Sequence, residues 1–370
     1  MKASLNITRF LTGILFIFSG LVKAIDPLGL SYKMNEFFAK WNWDWAPPFS
    51  LTISLVMIAF EIFAGVALLL GWRPKLVTRL LLLLIVFFTF LTGYAYLSGK
   101  FHSCGCFGDC IPITSGVSFT KDIILLVLIV FLCLQYKKIQ PFFGKLLNVS
   151  LLVISTTACL LMMWYVLRHL PLKDCLPYAK GKDILKQMQV PPGSIPDSIV
   201  VNFIYKKDGK EVRFDADHFP EDFDDSTYEY IDRENIVVRK GNAEPAIADF
   251  MLKTAAGEDS TSQMLSQKGR YVLFFAKDWT DASALVWGPE YLKIQKAAAS
   301  KNIPMYFISN VTKPNPVFIQ GAAIPTLVCD GTVMKTFLRA GTGVVLMNGS
   351  VVEEKFNIRD ADDAVKAIDK

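Results

Sequence analysis

No Cys-x-x-Cys pair occurs among the seven cysteines of this 370-residue chain. That absence removes both the commonest zinc-ligand spacing and the usual dithiol of a soluble thiol oxidoreductase. A basic excess on the soluble half is also missing. Residues 1–170 carry 14 Lys/Arg against 6 Asp/Glu, whereas residues 171–370 carry 25 against 28. The formal net charge of +5 therefore belongs to the apolar half. Nucleic-acid binding needs a basic stripe on a folded surface, and none is indicated. The first apolar segment also lacks a convincing signal cleavage site, so it is expected to stay as a membrane span.

What the chain has is apolar length. The composition is 52% hydrophobic, concentrated before residue 171. A hydrocarbon core of about 30 Å needs roughly 20 helical residues. Residues 7–24, 51–70, 76–97, 123–136 and 147–167 meet that length or approach it, the fourth extending if it starts near Val117. Five such blocks leave no polar faces to meet water, so a bundle of five transmembrane helices is expected.

Lys2 and Arg9, then Arg73, Lys75 and Arg79, then Lys137, Lys138 and Lys145 all fall on one side of these spans. The positive-inside rule makes that side cytoplasmic. Loops 26–50 and 98–120 and everything after Pro171 then lie outside. The expected location is a bacterial inner membrane with a periplasmic C-terminal domain. Trp41, Trp43 and Trp45 followed by Pro47-Pro48 read as an aromatic anchor at the outer interface.

The outer compartment then holds Cys104, Cys106, Cys110, Cys175 and Cys329, where disulfides form and persist. Cys133 and Cys159 fall inside spans, as small packing residues. The run Cys104-Gly-Cys-Phe-Gly-Asp-Cys110 is the densest chemistry in the chain. A disulfide across a single residue closes a small, strained and more oxidising ring, and Gly105 would ease the backbone. Three readings stand. The cluster is a structural disulfide with one thiol left for Cys175 or Cys329; or a redox-active set in which Cys104 or Cys106 reacts first and Cys110 resolves; or a metal site with His102. Asp109 is expected to raise the pKa of Cys110. In the membrane, Glu61 sits near the middle of the second span. A carboxyl at that depth is either satisfied by a neighbouring span or part of a proton or quinone site. Lys23 and Asp26, one helical turn apart, read as a local pair.

Arg9-x3-Gly13, Phe18-Ser19-Gly20-x2-Lys23-x2-Asp26-Pro27 and Glu61-x3-Gly65 resemble the DoxX family of small membrane proteins. Cys104-Gly105-Cys106-Phe107-Gly108 resembles the related methylamine-utilisation MauE family. The resemblance spans roughly residues 7–136. It implies a four-helix membrane bundle and, for several members, disulfide or redox chemistry outside the membrane. The fifth span and the large C-terminal region go beyond that pattern.

Residues 171–240 read as a linker and a small β region. Residues 201–205 and 211–214 form a hairpin around Asp208-Gly209, and residues 227–231 and 236–239 a second one. Residues 221–225 form an acidic loop. From 241 on, strands are expected at 270–276, 305–309, 344–347 and 351–355, the last two joined at Asn348-Gly349. Helices are expected at 287–299, 333–339 and 360–369. This β-α-β-α-β-β-α order, with Pro245-Ala-Ile-Ala-Asp249-Phe250, Gly257 and Gly269, resembles membrane-anchored thioredoxin-like thiol oxidoreductases and peroxiredoxins. In that family the first strand leads into W-C-x-x-C. Here Trp279 is followed by Thr280, Asp281, Ala282 and Ser283, so hydroxyls stand where the thiols would be. A hydroxyl cannot exchange with disulfides at neutral pH. Gly341-Thr342-Gly343 replaces the cis-proline segment.

The expected architecture is a five-helix DoxX/MauE-like membrane bundle (1–170), a linker with a small β region (171–240) and a soluble α/β thioredoxin-like domain without its dithiol (241–370). The expected function is membrane-linked thiol–disulfide redox chemistry through Cys104, Cys106 and Cys110, with a quinone as a candidate electron acceptor. The alternative is a non-catalytic scaffold or assembly subunit of an envelope complex. The expected partners are the lipid bilayer and an envelope protein engaged through residues 171–370, with no nucleic acid and no metal.

Overall fold

The computed structural model describes residues 2–99, 105, 107–195, 198–207, 209–215, 218–220, 222–224, 226–239, 241, 243–311, 317–319, 322–324 and 326–370. They form two compact units, Met1–Lys182 with Met251–Lys370, and Asp183–Phe250.

The first unit begins with α1 (Lys2–Ile25), followed at once by α2 (Pro27–Lys40). A 3-10 turn at Pro47–Phe49 leads into α3 (Ser50–Leu70). Then come α4 (Pro74–Ser98), α5 (Ser115–Leu134) and α6 (Lys145–Arg168). Among the described residues, helices α1 and α3 to α6 are the five long enough and apolar enough to cross a membrane. Their outward faces are apolar, with Ile14, Leu83, Leu97, Leu134 and Leu146 exposed where lipid tails would lie. The fourth span starts at Ser115, which supplies the length that 123–136 lacked.

Helix α2 is a correction: the stretch expected to be an anchored loop is helical over fourteen residues. Asp26 caps it by accepting from the Gly29 amide at 3.1 Å, and Pro27 presets its first turn. The tryptophans follow it. Trp41 and Trp43 pack ring to ring at 5.0 Å, and Trp43 stacks on Trp45 at 6.0 Å.

Inside the bundle, α1 and α3 approach closely. A Cβ on Gly65 would lie 2.9 Å from the Gly13 carbonyl oxygen, so both small residues are required there. Arg9 of α1 reaches the end of α3, donating to the carbonyls of Leu68 at 2.8 Å and Leu69 at 2.6 Å, and to Gln140 at 3.0 Å. Leu68 O also accepts from the Gly71 amide at 3.1 Å, and the guanidinium adds to this cap at the helix end.

The second unit holds α7 (Ile184–Gln187), β1 (Ser198–Lys207), β2 (Lys210–Asp215) and β3 (Glu229–Arg239). These strands make an antiparallel sheet in the order β2-β1-β3. The hairpin between β1 and β2 was expected; a second hairpin was not found. Residues 229–239 run as one strand along β1, because 232–235 contain no Gly or Pro to turn the chain. Tyr205, Phe214, Phe219, Phe223 and Tyr228 close one aromatic cluster, with neighbouring centroids 4.7–6.2 Å apart.

The first unit resumes with α8 (Thr261–Leu265), β4 (Arg270–Ala276), α9 (Asp281–Ser300) and β5 (Met305–Ser309). A small hairpin, β6 (Val317–Ile319) and β7 (Ala322–Ile324), precedes β8 (Thr326–Val328) and α10 (Gly331–Leu338). The chain closes with β9 (Thr342–Asn348), β10 (Val351–Asn357) and α11 (Ala361–Asp369). The five-stranded sheet runs β10-β9-β4-β5-β8. Strands β4, β5 and β8 are parallel, and β9 and β10 are antiparallel to their neighbours.

The soluble α/β fold expected from the sequence is present, with four additions: α8, β8 on the edge, the β6–β7 hairpin, and an earlier start to α9. The β9–β10 turn falls on Gly349-Ser350, one residue later than expected, with Asn348 pairing with Val351. Strand β4 is buried along nearly all its length, as a central strand covered on both faces must be. Gly343 opens β9 where a cis-proline segment was sought. A Cβ there would meet the Phe356 carbonyl oxygen at 2.4 Å, so β10 passes too close for any side chain.

Candidate functional site

Chemistry gathers at one end of the bundle. Gly105 and residues 107–110 lie there, with Gly105 and Gly108 both at positive φ (65° and 59°), which glycine adopts without strain. Phe107 turns back onto the helices, 5.8 Å from Phe18. Cys104, Cys106 and His102 lie outside the described residues. Cys110 is described, and it is joined to Cys175 by a disulfide that spans 65 positions. The cluster therefore does not close on itself at Cys110. The four-ligand metal set with His102 loses that thiol, and among the described residues no His/Cys/Asp/Glu group has metal-site geometry. Cys133 and Cys159 sit in the bundle, outside any disulfide. Cys329 is buried at the end of β8, its amide donating to the Ser309 carbonyl at 2.9 Å.

Beneath that segment lies a buried set of charges. Lys23 Nζ of α1 is 2.5 Å from Glu61 Oε1 of α3 and 3.1 Å from Ser19 Oγ. Both members of the pair are almost wholly enclosed, at 3% and 1% exposure. This corrects the local pairing of Lys23 with Asp26. Asp26 has its own cation in Arg339, whereas the Glu61 carboxylate inside the bundle has only the long lysine stem to supply one. Glu61 Oε2 has no hydrogen-bond partner among the described residues. A second pair is next to it: Lys121 Nζ lies 2.5 Å from Asp122 Oδ1, and Asp122 Oδ2 accepts from Thr92 Oγ1 at 3.0 Å.

Two small cavities run through this set. The lower one is lined by Ser19, Lys23, Glu61, Lys121, Asp122 and Phe107 among others. The upper one is lined by Lys23, Thr92, Lys33 and Gly105. Lys23 and Phe88 border both. Each has about 20 Å³ of space, room for about one water.

The C-terminal α/β region docks on the same end. Arg339, in the left-handed region after α10 (φ 53°), donates through Nε to Asp26 Oδ2 at 2.9 Å and through Nη2 to Asp109 Oδ2. Its guanidinium also lies over the Tyr32 ring, 5.2 Å away. Burial pushes the Asp26 carboxyl above its ordinary range, with the Arg339 charge opposing that push. Asp109 is thus balanced by an arginine, so it does not act on Cys110 as the isolated anion expected from the sequence.

The segment after α6 follows the same surface. Lys355 of β10 pairs with Asp174, next to Cys175, and donates to the Phe337 carbonyl at 2.7 Å. Burial draws the Lys355 ammonium below its ordinary range, with Asp174 opposing. Val352 exchanges backbone hydrogen bonds with Gly181 and Lys182, at 2.7 and 2.9 Å. His169 Nδ1 lies 2.6 Å from Asp360 Oδ1.

The positions where a dithiol was sought form a helix cap. Thr280 Oγ1 accepts from the Ser283 amide at 3.1 Å, and Ser283 Oγ accepts from the Thr280 amide at 2.8 Å. This reciprocal pair starts α9 at Asp281.

Sequence reasoning missed Arg339 and the Lys121–Asp122 pair; it left open whether a thiol of the run pairs with Cys175 or Cys329, and the structure joins Cys110 to Cys175. Glu61 carried one usable signal, since an intramembrane carboxylate calls for a cation and Lys23 was already in hand in a neighbouring span.

Residues 1–135 match the family model of methylamine utilisation protein MauE. That stretch holds the first four spans, Glu61 and the whole cysteine run. Residues 199–240, the small β sheet, match a domain of unknown function, DUF8463. Protein TlpB of Flavobacterium psychrophilum is 33% identical over 114 residues, which is 30% of this chain and 27% of TlpB. The chain thus matches about a quarter of the length of that relative. No solved structure matches.

Proposed function

We propose that this protein carries out thiol–disulfide exchange at the outer face of a bacterial inner membrane, through Cys104, Cys106 and Cys110, with Cys175 as a fourth thiol. The observation that carries this reading is the Cys110–Cys175 disulfide. It ties Cys175 to the one cysteine of the run that follows the Cys-x-Cys pair in the sequence. A thiolate at Cys104 or Cys106 attacks Sγ of Cys110, forming one S–S bond and expelling Cys175 as thiolate. A second attack closes the Cys-x-Cys ring and leaves Cys110 and Cys175 reduced. Two electrons pass between the pairs and none is lost. A partner's dithiol enters the cycle by reducing one of these disulfides, and a second protein disulfide restores it.

The match to the MauE family, and the one-sided Lys/Arg distribution that puts the cysteine run opposite the cytoplasmic side, support a membrane-linked redox role. The C-terminal α/β region, a thioredoxin-like domain in this reading, acts as a docking surface for an envelope protein.

A second reading is favoured by the Thr280–Ser283 cap and by the Arg339 clamp. Both are structural devices set where exchange chemistry was sought. In it the protein is a scaffold, and Cys110–Cys175 is a staple.

Single Cys→Ser variants of Cys104, Cys106, Cys110 and Cys175 in the full chain separate the two. Exchange predicts reductant-sensitive mixed disulfides with envelope proteins when Cys110 or Cys175 is replaced. A staple predicts no adduct from any variant and a Cys110–Cys175 bond that stays oxidised in cells.

A further inference from the structure

We propose that the end of the bundle opposite Gly105 holds a binding site for an anionic phospholipid, whose phosphodiester is taken by Arg73, Lys75, Arg79 and Lys137. The site is independent of the exchange reading and stands even if the Cys110–Cys175 disulfide is a staple.

A cavity of about 500 Å³ opens at that end, between the start of α4 and the 3-10 turn that follows α5. Small-ligand pockets run from roughly 300 to 1,000 Å³. Arg73, Lys75, Arg79 and Lys137 all line it, and Tyr136 adds a hydroxyl. Among the described residues, none of these four cations is in an ion pair. The sequence supplies no partner at this end either: residues 1–25, 62–108 and 123–173 contain no Asp or Glu. Four like charges around one hollow repel one another, so the anion that offsets them comes from outside the chain. Arg73 is held in the left-handed region (φ 39°), and its guanidinium lies over the Trp72 ring, 5.3 Å away. Backbone and ring together fix it beside the cavity it lines.

The place of the cavity selects the source of the anion. It lies at the ends of two spans, where the hydrocarbon of a bilayer gives way to headgroups. Leu76 lines the cavity and is exposed. Leu83, Phe87 and Phe90 continue from it along one face of α4 and are exposed too. A cationic hollow at the head of an apolar track fits an amphiphile, with its phosphate in the hollow and an acyl chain on the track. Basic pockets between spans suit lipid headgroups in this way. A soluble phosphate uses the cations and leaves the track empty. A zwitterionic lipid brings its own ammonium against four like charges, so the net charge of the headgroup decides between lipids. The arginines add shape to charge, because a guanidinium presents a planar fork to two phosphate oxygens.

The test uses the full-length protein in phosphatidylcholine bilayers at low salt, with spin-labelled phosphatidylglycerol and spin-labelled phosphatidylcholine as probes. The motionally restricted fraction of each gives its relative affinity. The wild type should hold phosphatidylglycerol more tightly. Arg79→Gln alone should weaken that hold about fivefold. Arg79→Gln with Lys137→Gln should bring the two lipids to parity. Lys138→Gln with Lys145→Gln removes the same charge from the same end but touches no lining residue, and it should leave the preference unchanged. Both single variants, Arg79→Gln and Lys137→Gln, change exposed side chains and carry the test if the double variant does not fold. No preference in the wild type, or an equal loss in the two double variants, would overturn the site and leave only a diffuse surface charge. Displacement of the labelled phosphatidylglycerol by millimolar inorganic phosphate would overturn the lipid as occupant in favour of a soluble anion.

Discussion

Arg339 donates to Asp26 at 2.9 Å across 313 positions of sequence, and the same guanidinium holds Asp109, the residue before Cys110. One side chain of the α/β region thus fixes both the entrance of α2 and the cysteine segment. It is 7% exposed, and its two partners are 18% and 29% exposed. Arg339→Ala strands two carboxylates at a half-buried junction. We expect it to cost about 2–4 kcal/mol, less than the full penalty for a deeply buried pair. Thermal unfolding of the full chain in detergent measures it. Arg339→Lys should recover only part of the loss, since an ammonium cannot present the planar fork.

Asp26 adds a pH dependence. Burial raises its carboxyl above the ordinary value of 3.8. A folded state that binds a proton more tightly than the unfolded one is favoured at low pH. This contribution is full below 3.8 and is lost as pH rises through the raised folded value. The wild-type melting temperature should therefore fall relative to that of Asp26→Asn as pH is raised across the acidic range. Parallel curves for the two proteins would show that Asp26 does not titrate in this way.

The Lys23–Glu61 pair lends itself to a double-mutant cycle. Lys23→Met alone leaves an uncompensated carboxylate in the bundle and should cost about 3–5 kcal/mol, whereas the double variant with Glu61→Gln should recover most of it. If the single and double variants melt together, the pair is not coupled.

At the start of α9, Thr280→Ala removes the acceptor for the Ser283 amide and should cost about 1 kcal/mol. The full-length protein should show no insulin-reducing activity that depends on Thr280 or Ser283. Activity lost in Thr280→Ala would show that the hydroxyl pair does more than cap a helix.

Much of the fold was legible because its signals are local. Five apolar blocks of membrane length, a strand at Arg270–Ala276 and another at Met305–Ser309 need only hydropathy and run length to be seen. Strand β8 and the β6–β7 hairpin were missed because three-residue strands carry no period. Helix α2 was hidden behind its tryptophans, which read as an interface before they read as the end of a helix. The site was legible only as separate residues. Glu61 and the cysteine run stood out by residue type. What joins them to Lys23, Arg339 and Cys175 is contact between segments 38, 230 and 65 positions apart, and no local pattern encodes that.

The central claim is that the cysteine segment exchanges, and mixed-disulfide capture on Cys175→Ser tests it most directly. That substitution leaves Cys104, Cys106 and Cys110 in place and removes the thiol on which the cross-link closes. The account predicts a reductant-sensitive adduct with an envelope protein, absent when Cys104 and Cys106 are also replaced by serine. A Cys175→Ser protein that forms no adduct and loses only thermal stability, by about 2–4 kcal/mol, would contradict it and make the disulfide a staple.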